Sequence, residues 1–188
     1  MKTLPFVNKS KFFIIAITAL TFSSCSNDDD PVNEEEVITT VTATLTNGSN
    51  IITLSSRDLD GDGPNAPVVT VSGNLAANTT YTGAVSFLNE TSDPVDNITT
   101  EVLEEGADHQ LFFQAPSSLG TFTYSDTDAN GKPIGLQFSL LTGNASSGNL
   151  TITLRHLPNK SASGVATGDI TNAGGATDAQ VTYPIVVQ

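Results

Sequence analysis

The sequence predicts an all-β fold, an antiparallel β-sandwich, and three observations carry that prediction. From Val37 onward apolar residues alternate with threonine and serine, the period of a half-buried strand. Turn signals such as Asn47-Gly48, Asn130-Gly131-Lys132-Pro133, Gly143-Asn144 and Gly174-Gly175 punctuate the chain. No segment after residue 36 sustains a 3.6-residue apolar period bounded by caps.

Taken in order, strands are expected at Val37–Leu45, Ile51–Ser56, Val68–Leu75, Tyr81–Asn89, Ile98–Glu105, Gln110–Gln114, Thr121–Tyr124, Leu136–Leu141, Asn149–His156 and Gln180–Val187. Leu150-Thr151-Ile152-Thr153-Leu154 alternates most cleanly, one face apolar and the other threonine, as one-sided antiparallel strands do. The stretch from Thr99 to Ala107 also admits a short helix stopped by Gly106. Short strands with turns about every eight to twelve residues indicate an immunoglobulin-like or related Greek-key sandwich. The single cysteine and the absence of Trp exclude the usual immunoglobulin disulfide and core tryptophan.

Ahead of the sandwich, residues 1–24 read as a signal peptide. Lys2, Lys9 and Lys11 give a positive start without an acid, and Phe12 to Phe22 give an apolar run too short to span a bilayer. Phe22-Ser23-Ser24-Cys25 resembles a bacterial lipobox, with Phe22 where leucine is usual. The resemblance implies cleavage before Cys25 and a lipid on that cysteine, anchoring the protein to a membrane. Residues 25–36 then form an acidic linker, Asp28 to Asp30 and Glu34 to Glu36, which self-repulsion keeps extended. An acidic block directly after the cysteine resembles the surface-export signal of Bacteroidetes lipoproteins. That implies an outer-membrane location facing the exterior, with a spacer facing the periplasm as the alternative. Residues 37–188 are left as one domain, long enough to bury a core.

Removing the leader takes three of seven basic residues and none of the twenty acidic ones. Such a negative field repels phosphate backbones and anionic lipid surfaces, which excludes nucleic acid as a partner and favours cations. With Cys25 lipidated, no thiol remains for catalysis or metal.

Two stretches carry ion chemistry. Asp58, Asp60 and Asp62 stand at alternate positions before Gly63, as in the first half of an EF-hand loop, where carboxylates converge on calcium. Position twelve is Val69 instead of a bidentate Glu, and Pro64 and Pro67 forbid the exiting helix, so the loop is not an EF-hand. It resembles calcium loops between strands of extracellular bacterial modules; an Asp/Gly-rich surface turn is the alternative. The second stretch is Glu101, Glu104, Glu105, Asp108 and His109, with His156 beside Arg155 at a strand end. Imidazoles with carboxylates suit zinc or another transition ion, with Glu104, Glu105, Asp108, His109 and His156 as candidate ligands. The competing expectation makes Gly106-Ala107-Asp108-His109 a polar hairpin turn and pairs Arg155 with one of these acids.

The sequence offers no nucleophile elbow, HExxH or free cysteine, and with three Tyr and no Trp it is poor in sugar-stacking rings; a non-enzymatic role is expected. Arg57 to Pro67, Asn78 to Gly83, Leu88-Asn89-Glu90 and Leu154-Arg155-His156 resemble small surface lipoproteins of flavobacteria. Related lipoproteins work beside TonB-dependent transporters, which the resemblance makes a candidate partner. Two functions are therefore expected to compete: a calcium-stabilised binding or interaction module, and a metal-capture accessory of TonB-dependent uptake that uses the two histidines.

Overall fold

The computed structural model describes Met1, residues 36–61 and residues 63–188. The leader, Cys25, nearly all of the acidic linker and Asp62 lie outside the described residues. Among the described residues nine strands form two antiparallel sheets, and no helix is long and apolar enough to cross a membrane.

The larger sheet holds β1 (Thr40–Asn47), β2 (Asn50–Arg57), β3 (Val68–Val71), β4 (Thr80–Leu88), β6 (Gly120–Tyr124) and β7 (Gln137–Thr142) in the order β3-β2-β1-β4-β7-β6. Three hairpin-linked strands with the fourth returning beside the first make a Greek key. The β1–β2 turn is the expected Asn47-Gly48, with Gly48 at φ +57° as a two-residue hairpin requires. The smaller sheet is β5 (His109–Gln114), β8 (Ser146–His156) and β9 (Ala176–Val187), in the order β5-β8-β9.

Alternation decides what each strand buries. Val41, Ala43 and Leu45 of β1, Val85 and Phe87 of β4, and Leu150, Ile152 and Leu154 of β8 meet in one core between the layers. The core is also cross-linked by polar atoms. Tyr183 on β9 donates its hydroxyl to the Val41 carbonyl of β1 at 2.9 Å. The segment between β6 and β7 accepts from both sheets, Ile134 from the Leu111 amide and Leu136 from the Val85 amide. The outer face of the smaller sheet is covered as well. Phe112 packs there against Val165 and Ala173 of the 157–175 loop, and that loop is pinned by Lys160. The Lys160 ammonium, 6 % exposed, donates to Asp128 at 3.0 Å and to the carbonyls of Gly106 and Pro133.

One expected strand is a helix. Ile98–Glu104 forms α1, burying Ile98 and Val102 and turning its glutamates outward, while Thr99 bonds both backbone groups of Phe87 at the end of β4. The hairpin expected over Ile98–Gln114 therefore does not exist. His109 is a fully buried strand residue instead of a solvated turn residue.

Candidate metal centre

The two histidines meet because of register. His109 is the first residue of β5 and His156 the last of β8, and the two are direct partners across the ladder. Each lies in phase with the core face of its strand: His109 with Leu111, and His156 with Leu154 and Ile152. The core thus ends, at this edge, in two imidazoles whose rings stack at 4.8 Å with 21° between planes. His109 is buried completely, and the His156 side chain is 18 % exposed.

Asp178 is delivered by a β-bulge. Leu154 pairs with Ala179 and Arg155 with Thr177, so Asp178 is the extra residue of β9. Such bulges re-aim a side chain, and this one sets a buried carboxylate beside both rings. Its oxygens lie 3.7 Å from His109 Nε2 and 3.9 Å from His156 Nδ1. Glu36 approaches from the segment that leads into β1, placing Oε1 3.6 Å from His109 Nε2.

The proton on His109 is fixed by its other nitrogen. Nδ1 lies 3.2 Å from the backbone carbonyl of Glu105, which can only accept, so Nδ1 carries the hydrogen. Nε2 is then a bare lone pair, buried, without a hydrogen-bond partner, and facing two carboxylates. Burial chiefly, with the His156 ring adding to it, holds the His109 pKa below its ordinary value. The Glu105 carbonyl and the nearby Asp178 and Glu105 carboxylates oppose the shift. Glu36 is pushed up to about 7, first by burial and then by the negative charges of Asp178, Glu101 and Glu105. Its Oε2 is likewise buried without a partner. Neutral imidazole is the ligand form of histidine, and crowded carboxylates are relieved by a cation.

Two overlapping triads share His109. His109, His156 and Asp178 each offer a donor atom within 4.8 Å of the others, and so do Glu36, Glu105 and His109. One lone pair serves one ion, and the first triad has two nitrogens and the more deeply buried carboxylate, the set a transition metal prefers. Ligands at about 2.0–2.1 Å around a tetrahedral ion stand roughly 3.3 Å apart, whereas these donors lie within 4.8 Å of one another, so an ion would draw them together by up to about 1.5 Å.

The sequence-predicted candidates divide. His109 meets His156 in one triad and Glu105 in the other, whereas Glu104 and Asp108 are exposed and belong to neither. The expected salt link of Arg155 to these acids is absent. Arg155 donates instead to Thr177 Oγ1 at 2.6 Å and to the Gly175 carbonyl, because it points away from the core face that carries the histidines. In the Asp58 loop, Asp60 Oδ2 accepts from both the backbone and side-chain nitrogens of Asn65 at 3.2 and 2.7 Å. Those contacts hold Asp60 below its ordinary pKa. Asp58 lines a cleft that Glu36 and Asp178 also line, so one arm of the loop reaches the edge of the histidine site.

Glu36 and Asp178 were not legible as ligands. Glu36 ends an acidic run that reads as solvated linker, and Asp178 becomes a ligand only through the bulge. Set against protein-family models, curated proteins and solved structures, the chain matches none of them.

Proposed function

We propose that the protein is a non-enzymatic, transition-metal-binding module of the zinc class, with His109, His156 and Asp178 as ligands and Glu36 beside them. One observation carries the reading: a fully buried histidine presents an unprotonated, unpartnered Nε2 to two carboxylates. That arrangement sets a lone pair beside two acidic side chains in a desolvated place, and a divalent ion turns each contact favourable. Nitrogen donors favour zinc, copper or nickel over calcium and magnesium.

The leader gives the module its setting. Lipidation at Cys25 would anchor it to the outer membrane, and the acidic run after the cysteine supports an exterior face. Binding a metal there fits an accessory that captures an ion for a TonB-dependent transporter. The geometry favours this role over that of a general interaction module. Palmitate labelling that persists in Cys25→Ala would remove the anchor, and protease shaving of whole cells decides the face.

Calorimetric titration of the full chain with zinc and with calcium tests the centre. Zinc is expected to bind at one site, and His109→Ala or His156→Ala to weaken it by at least about 100-fold, roughly the loss of one ligand bond. No zinc heat, or affinity unchanged in both variants, would sink the proposal. The calcium arm, repeated with Asp60→Ala, tests the Asp58 loop independently.

A further inference from the structure

An ion bound at His109 Nε2 has no open way in. The His109 side chain is fully buried, and its Nε2 faces Glu36 Oε1 at 3.6 Å and Asp178 Oδ2 at 3.7 Å. Both acids line a cleft of about 510 Å³ between the two layers, and neither histidine does. An ion arriving from the cleft must therefore move one of the two acids aside, and the backbone decides which. Asp178 stands inside β9, between Thr177 and Ala179, which pair with Arg155 and Leu154 of β8. Glu36 lies ahead of β1, and among the described residues the backbone of Glu36, Val37 and Ile38 makes no hydrogen bond. Bonding begins at Thr39, whose amide donates to the Leu88 carbonyl at 2.9 Å and whose carbonyl accepts from the Asp58 amide at 2.7 Å. Ile38 packs partly against the core, while Val37 is 57 % exposed.

We propose that Glu36 is the fourth ligand of the bound ion and, with Val37 and Ile38, the gate through which the ion is exchanged. The inference rests on the metal-binding reading above and adds how that site is loaded and emptied. Ligand atoms at about 2.0–2.1 Å around a tetrahedral ion stand roughly 3.3 Å apart. The 3.6 Å between Glu36 Oε1 and His109 Nε2 is close to that separation, so an ion on Nε2 meets the Glu36 carboxylate. With His109, His156 and Asp178 it completes four protein donors, which close a tetrahedral site. Three of the four are carried by β5, β8 and β9, which are laddered together. Glu36 is the one that can leave without breaking a ladder: its departure costs one coordination bond and the packing of Ile38. Openings that break few contacts are the ones a folded protein makes most readily. The stretch swings away from the cleft side, so an ion enters and leaves by the cleft.

Nitrogen-15 relaxation on the full chain, metal-free and saturated with zinc, reads the closure, and stripping of the zinc by excess chelator reads the exchange. The order parameters of the Val37 and Ile38 amides are expected below about 0.6 without metal and near about 0.85 with zinc, while those of Leu150 and Ile152 in β8 stay near about 0.85 in both. In Glu36→Gln saturated with zinc, Val37 and Ile38 should remain below about 0.6, and chelator should remove the zinc at least about tenfold faster than from the parent. Amides equally rigid with and without zinc, or stiffened by zinc as much in Glu36→Gln as in the parent, overturn the gate and leave His109, His156 and Asp178 standing as the centre. Zinc release unchanged by the substitution does the same. A chain that takes up no zinc overturns both.

Discussion

Glu36→Gln should act in opposite directions on stability and on metal binding, and the sign can be worked out from its surroundings. The folded protein raises the Glu36 pKa from 4.5 to about 7, because burial and the Asp178, Glu101 and Glu105 charges all oppose ionisation. Between those two values the folded state binds more protons than the unfolded one, so this group's contribution falls as pH rises and is fully lost above about 7. At 1.36 kcal/mol per pH unit the rise corresponds to roughly 3.4 kcal/mol, which solvent screening at the cleft mouth reduces to about 1–2 kcal/mol. His109 pulls the other way, since its depressed pKa adds stability that is lost as pH falls below its ordinary 6.5. That background is common to both proteins and largely drops out of their difference. Thermal unfolding of metal-free parent and Glu36→Gln at pH 8 and at pH 4 measures the effect. The variant is expected to melt roughly 2–8 °C higher at pH 8 and no higher at pH 4. With zinc present the order should reverse, because the amide withdraws a negative charge from the ion. A variant less stable than parent at pH 8 without metal would refute the electrostatic account of the cluster.

Three further outcomes test the frame and the centre. Lys160→Met strands Asp128, whose side chain is 1 % exposed, so it should destabilise by about 3–5 kcal/mol in urea unfolding, with partial recovery when Asp128→Asn is added. Gly83→Ala places a Cβ in the Phe138 ring directly across the β4–β7 ladder, an overpacking expected to lower stability by about 1–3 kcal/mol in the same assay. Zinc affinity should fall in acid, since the ion needs both imidazoles neutral; an affinity flat from pH 8 to pH 4 would speak against histidine ligation.

The strands were legible because period-two patterns over a one-sided sheet leave little freedom: Leu150, Ile152 and Leu154 bury the face their alternation predicts. Ile98 and Val102 were ambiguous because a separation of four returns to the same face of a strand and of a helix alike. What resolves it is tertiary: α1 caps the end of the core through those two residues while its glutamates stay in water. The centre was half legible. His109 just ahead of one expected strand and His156 at the end of another are visible in one dimension, but their pairing depends on β5 lying beside β8. Asp178 depends on a register shift of one residue, and local sequence does not encode that. Glu36 was hidden by its own neighbours, for an acid at the end of an acidic run carries no mark of being the buried one.

The most direct test of the centre is X-ray absorption at the zinc edge on the loaded full chain. The expected first shell is nitrogen and oxygen at about 2.0–2.1 Å, without sulfur, with the outer-shell pattern of two imidazoles that drops to one in His156→Ala. A spectrum with no imidazole pattern, or one unchanged by His156→Ala, would contradict it.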